Sequence, residues 1–161
     1  MMNYVNYKSL AVANYLLDKA INNNDTLTPM QLIKLAYIAH GWMLGKHGAA
    51  LLLEPVEAWQ YGPVIPSIYQ AVRYYKSAPV QSIEGYSKYA PIQFTDEEKA
   101  VMDDVYQKYA KYDGIVLSNA THQPQSPWSQ VPVSYPALPI SNDLIEHFYR
   151  NHVINTSHSA L

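Results

Sequence analysis

The sequence predicts a single, mainly α domain: about six helices around a buried central helix, with a small β-strand or hairpin element between the second and third. Three observations carry this expectation. Residues 29–44 are apolar on nearly every side, which suits a helix only inside a domain. Other stretches repeat apolar residues at helical spacing and begin at residues suited to capping. The chain has 161 residues, enough to bury a core, and no cysteine with which to staple one.

The first helix is expected to open near Ser9, with Ala13, Leu16, Leu17, Ala20 and Ile21 as its apolar stripe. Asn22 to Asp25 ends it. Thr28 then caps the central helix, and Pro29 takes the first helical position, where a missing N–H costs nothing. Gly45 and Gly48 close that helix. Lys34 is the exception on its greasy surface. It either snorkels beside Gln31 and Gly41, or pairs with a carboxylate or a helix-end carbonyl. Val56 to Tyr61 alternates weakly and reads as a short strand, paired in a hairpin with Leu51 to Leu53. Gly62-Pro63 reads as a tight turn into a third helix from Pro66 to Tyr75.

Residues 77–94 hold Pro79, Gly85 and Pro91 and are expected to be loop, with short extended pieces near Ile83 and Ile92. Thr95 to Glu98 is a capping box, and Val101, Met102, Val105, Tyr109 and Tyr112 continue it as a fourth helix. Asp113 caps a short fifth helix ending near His122. Five prolines lie in residues 123–139, so no regular element is expected there beyond a turn at Pro127-Trp128, with Trp128 as a buried anchor. The last helix starts at Ser141, stapled by Ile140 and Ile145. The core is expected to span residues 8–150, with 151–161 as a fraying tail.

Composition narrows the function. The net charge of −2 argues against a general nucleic-acid binder, which would carry a basic excess. Charge is uneven: residues 1–65 balance, residues 66–95 sum to +2, and residues 96–161 sum to −4. No segment approaches the length of a membrane span, and none has the form of a signal peptide, so a cytoplasmic location is expected. The 15 tyrosines against 2 phenylalanines suit half-buried and interfacial positions. Without cysteine, thiolate metal sites and cysteine nucleophiles are excluded.

Candidate chemistry is sparse. The six histidines, including His40, His47, His147, His152 and His158, lack metal-binding spacing. Ser118 and His122 stand four apart and would share a helical face, as a nucleophile and base must, yet no G-x-S-x-G elbow accompanies them. No phosphate-binding loop occurs. A metal or organic cofactor is not expected.

Three motifs stand in order along the chain: Leu32-Ile33-Lys34-Leu35-Ala36-Tyr37; Ala58-Trp59-Gln60-Tyr61-Gly62-Pro63-Val64-Ile65-Pro66-Ser67-Ile68-Tyr69; and Thr121-His122 followed by Pro127-Trp128. Together they resemble the Panacea-domain family, which includes phage-associated proteins of the GepA kind and SocA-like antitoxins. The resemblance implies a protein-binding antitoxin that masks a cognate, nearby-encoded toxin or hands it to a cytoplasmic protease. It implies no catalytic residue. Relatives attach segments such as a DNA-binding helix-turn-helix, and none is expected here outside the core. Lys34, Leu35, Tyr37, Trp59, Gly62, Pro63, Val64, Pro66, Tyr69, Thr121, His122, Pro127 and Trp128 are the family-motif candidates for fold or partner binding. Partner choice is expected in the more variable surfaces at 83–92 and 123–139. The alternatives are a small hydrolase or transferase using His122 with Ser118 or Lys34, and a nucleic-acid-binding regulator.

Overall fold

The computed structural model describes residues 3–155. Six α-helices form the body, five of them arranged around the second, with a three-stranded antiparallel sheet on one flank. The helices are α1 (Tyr4–Asn22), α2 (Pro29–His47), α3 (Pro66–Val72), α4 (Asp96–Tyr109), α5 (Gly114–Thr121) and α6 (Asn142–Phe148). The strands are β1 (Val56–Trp59), β2 (Gly62–Val64) and β3 (Leu138–Ile140).

Helix α2 is the post of the fold. Fifteen of its residues are buried, and α1, α3, α4, α5 and α6 all pack on it. Its ends form as the sequence predicts: the Thr28 hydroxyl accepts from the Gln31 N–H, the Gln31 side chain accepts from the Thr28 N–H, and Pro29 begins the helix. Gly48 ends it in a left-handed conformation at φ +66°, a geometry that glycine adopts without strain. Gly45 lies inside the helix rather than closing it.

Helix α1 starts earlier than predicted. Asn3, not Ser9, is its cap, its side chain accepting from the Asn6 N–H at 2.9 Å. Lys8 and Ser9 are buried because α1 lies against α4, where Lys8 Nζ donates to Glu98 at 2.6 Å. Glu98 also completes the capping box with Thr95. Ile21 falls off the buried stripe and is 51% exposed.

The hairpin partner of β1 is β2, not residues 51–53. Trp59 pairs with Gly62 across a turn at Gln60-Tyr61, and β1 lies between β2 and β3. The positive φ of +117° falls on Gly62, after the turn rather than in it, and the strands then pair one to one from Trp59–Gly62 to Glu57–Val64. Pro63 is tolerated because β2 is an edge strand, which can lack an N–H. Leu51 and Leu52 are buried, packing as coil beside α2.

Strand β3 corrects the expectation that no regular element forms in 123–139. It contains Pro139, again on an edge, and pairs Val56 with Ile140. Residues 77–94 carry no strand; Val80 and Ile83 are buried instead, and the Val80 N–H donates to the Leu27 carbonyl. Past residue 150 the chain does not fray at once. A π-helical segment covers Tyr149–Ile154, and Val153 is buried. The rest of the expected tail, 156–161 with His158, lies outside the described residues.

Candidate functional site

The three sequence motifs meet at the hairpin. From α2, Lys34 reaches across to it. Its ammonium donates to the Tyr61 carbonyl at 3.2 Å and to the Pro63 carbonyl at 3.0 Å. Lys34 is 2% exposed and no carboxylate pairs with it among the described residues, so burial pushes its pKa down to about 7. It neither snorkels nor meets a helix end.

Gly62 makes this approach possible. A Cβ there would lie 2.8 Å from Lys34 Nζ and 3.5 Å from both His122 Nδ1 and Thr121 Oγ1. The backbone must therefore come close at a φ that other residues adopt only under strain.

Helix α5 grips the same turn from the other side. Ser118 Oγ donates to the Tyr61 carbonyl at 2.8 Å. Thr121 turns its hydroxyl back to the Leu117 and Ser118 carbonyls, both at 3.1 Å, a helix-end contact that fixes the corner. His122 follows as the C-cap, its ring 5.3 Å from that of Trp128. Pro127, buried, starts the 3₁₀ turn Trp128–Gln130, and Trp128 Nε1 donates to the Trp59 carbonyl at 2.6 Å. The Trp59 ring meets Tyr69 of α3 edge-on at 4.9 Å, and its own N–H donates to Glu57. Pro66 opens α3.

The other candidates are core. Leu35 is fully buried and Val64 nearly so. Tyr37 is 1% exposed, its ring edge-on to Tyr149, and its hydroxyl has no partner among the described residues. The structure thus joins Lys34, Gly62, Pro63, Thr121, His122, Trp128, Trp59 and Tyr69 in one cluster and leaves Leu35 and Tyr37 within the core.

The chemistry open to this cluster is narrow. Lys34, Ser118, Thr121 and Trp128 all donate to main-chain carbonyls. Ser118 donates its hydrogen bond to the Tyr61 carbonyl, not to His122, so the nucleophile–base pair of the alternative reading is not formed. His122 Nδ1 is buried without a partner among the described residues. No group of three or more metal-ligating side chains exists among the described residues, and no described helix is long and apolar enough to cross a membrane. His40 sits elsewhere, accepting from the Leu52 N–H and facing Asn142; burial lowers its pKa to about 4.

Outside the hairpin lies a groove of about 460 Å³, which sequence reasoning did not predict. Met30, Ile33, Trp59, Tyr61 and Tyr69 wall it, Lys34 lies at its floor, and Arg73 and Lys76 stand at its rim. The one signal for it was the +2 balance of residues 66–95. Of the two stretches expected to choose partners, 83–92 is in part tied to α1: Tyr7 OH accepts from the Ser87 N–H and donates to the Ala90 carbonyl. In 123–139, Val133 and Tyr135 project outward.

Comparison with known proteins gives the same family as the motifs. A family model described as antitoxin SocA-like, Panacea domain, matches residues 32–129, which contain every motif residue named above. Antitoxin SocA of Caulobacter vibrioides (strain NA1000 / CB15N) is 45% identical over 60 residues, 37% of this chain and 32% of that protein. The match thus covers about a third of the length of that relative. No solved structure matches.

Proposed function

Because the chain belongs to the SocA-like antitoxin, Panacea-domain family, we propose that it is an antitoxin: a binding module that neutralises a cognate protein toxin without chemistry of its own. One observation carries the second half of that reading. Lys34, Ser118, Thr121 and Trp128 donate to backbone carbonyls, so they frame the fold and leave function to the surface around it. Neutralisation proceeds by masking the toxin or by delivering it to a cytoplasmic protease, and the toxin is encoded nearby.

Expression of the adjacent reading frame, alone and with this chain, tests the proposal. Growth arrest relieved by this chain supports it; a harmless neighbour, or arrest that persists, contradicts it. A pulse-chase of the toxin separates the two routes: its half-life falls under delivery and stays unchanged under masking.

An enzymatic reading draws on His122 Nδ1, buried and unpartnered, and on Lys34 with its lowered pKa. It requires that His122→Gln abolish relief of arrest with the fold intact. The antitoxin reading requires that relief survive.

A further inference from the structure

We propose that the groove beside the hairpin docks an acidic segment of the partner protein that carries a large apolar side chain. This rests on the antitoxin reading and assigns it a contact surface.

Charge is the first argument. Lys34, Arg73 and Lys76 line the groove, and no carboxylate among the described residues does. The chain as a whole is acidic, so this concentration runs against its own balance. The ion pairs of Lys8, Lys19, Lys88 and Arg150 do not involve these three, which have no acidic partner among the described residues. Arg73 lies over the Tyr74 ring at 5.1 Å. Lys76 holds φ +57°, an uncommon conformation for a lysine, at the end of the 3₁₀ turn Arg73–Tyr75. An arriving carboxylate would supply the counter-ion that Arg73 and Lys76 lack at the rim, while Lys34 adds positive charge from below.

Shape is the second argument. Trp59 and Tyr69 form an aromatic wall, and Met30 and Tyr61 are 38% and 66% exposed. A volume of about 460 Å³ is in the range of ordinary ligand pockets and admits a bulky anchor. The apolar surface continues onto α5. Its Gly114 lies against Met30, and Ile115 next to it is 70% exposed. A cationic aromatic groove could also take a single-stranded nucleic acid. The acidic carboxyl-terminal half, −4 over residues 96–161, opposes a polyanion that must run beyond the groove.

Two measurements test the inference. In the first, the isotope-labelled chain is titrated with the peptide Ac-Glu-Asp-Trp-Asp-Glu-amide, its lysine counterpart Ac-Lys-Lys-Trp-Lys-Lys-amide, and octathymidylate. The expected result is amide shifts confined to the groove with the acidic peptide only, with affinity at least tenfold weaker in Arg73→Glu/Lys76→Glu. Equal or stronger shifts there with the basic peptide or the oligonucleotide, or none with the acidic peptide, overturn it. In the second, the double variant is tested against the toxin that the wild type neutralises. A loss of affinity of a hundredfold or more with an unchanged melting temperature is expected, while Lys46→Glu, distant on α2, binds as wild type. Retention within threefold overturns the groove and leaves the antitoxin reading standing. If the wild type neutralises nothing, that reading falls and the peptide titration alone decides the groove.

Discussion

Replacing Lys34 by methionine tests the lock at the hairpin through its pH dependence. Lys34 titrates near pH 7 in the folded chain and near 10.5 when exposed. Its folded pKa is the lower one, so the unfolded chain holds the proton more tightly. The cost to stability is present in full below about pH 7 and vanishes as pH rises to 10.5. At 1.36 kcal/mol for each pH unit, it amounts to about 5 kcal/mol. Against this, the methionine side chain forfeits two hydrogen bonds to carbonyls, about 1 kcal/mol each. The Tyr61 carbonyl keeps its bond from Ser118, which limits that loss. Lys34→Met is therefore expected to be about 3 kcal/mol more stable than wild type at pH 7, and less stable by up to about 2 kcal/mol near pH 10.5. Urea unfolding of both chains across this range measures the difference, from which the tyrosines and other lysines cancel. A difference that does not change with pH would refute the burial argument.

Other substitutions probe the post and its contacts. Gly41→Ala would drive a methyl group into the Tyr149 ring, itself 2% exposed and unable to swing away. The overpacking exceeds the helical gain of about 1 kcal/mol, and the melting temperature should fall by roughly 5 °C in calorimetry. His40 is neutral in the fold down to about pH 4, whereas the unfolded chain takes a proton from pH 6.5 downward. About 3 kcal/mol of stability should be lost between those limits, and His40→Gln should converge on the wild type in urea titrations over the same interval. Tyr37→Phe removes a buried hydroxyl without a partner, so unfolding should show a neutral or stabilising change, up to about 1 kcal/mol. Trp128→Phe forfeits the bond to the Trp59 carbonyl and should cost about 2 kcal/mol in the same assay, the loosened corner also quickening exchange of the hairpin amides.

What the sequence disclosed and what it hid divide by range. The caps at Thr28, Thr95, Asp113 and Ser141 are settled by a residue and its neighbour three positions on, and all four form as read. The burial of α2 could be read because so little on its surface prefers water. Pairing of β1 with β3 could not, since the partners lie about 80 residues apart and Pro139 argues against a strand when its edge position is unknown. The start of α1 was hidden because Lys8 looks solvent-bound until Glu98, 90 residues away, receives it. Lys34 was recognised as out of place, but its acceptors are carbonyls exposed by a turn, and no residue type announces those. The motif residues were identified, whereas their convergence on Gly62 needed the tertiary structure.

Neutralisation by contact must be stoichiometric. With purified toxin, and with the cognate protease added where delivery is the route, one chain should hold one fixed whole-number equivalent of toxin in a titration of complex formation. Loss of many toxin molecules for each chain added, with no protease present, would reveal turnover and contradict the proposed role as a binding module.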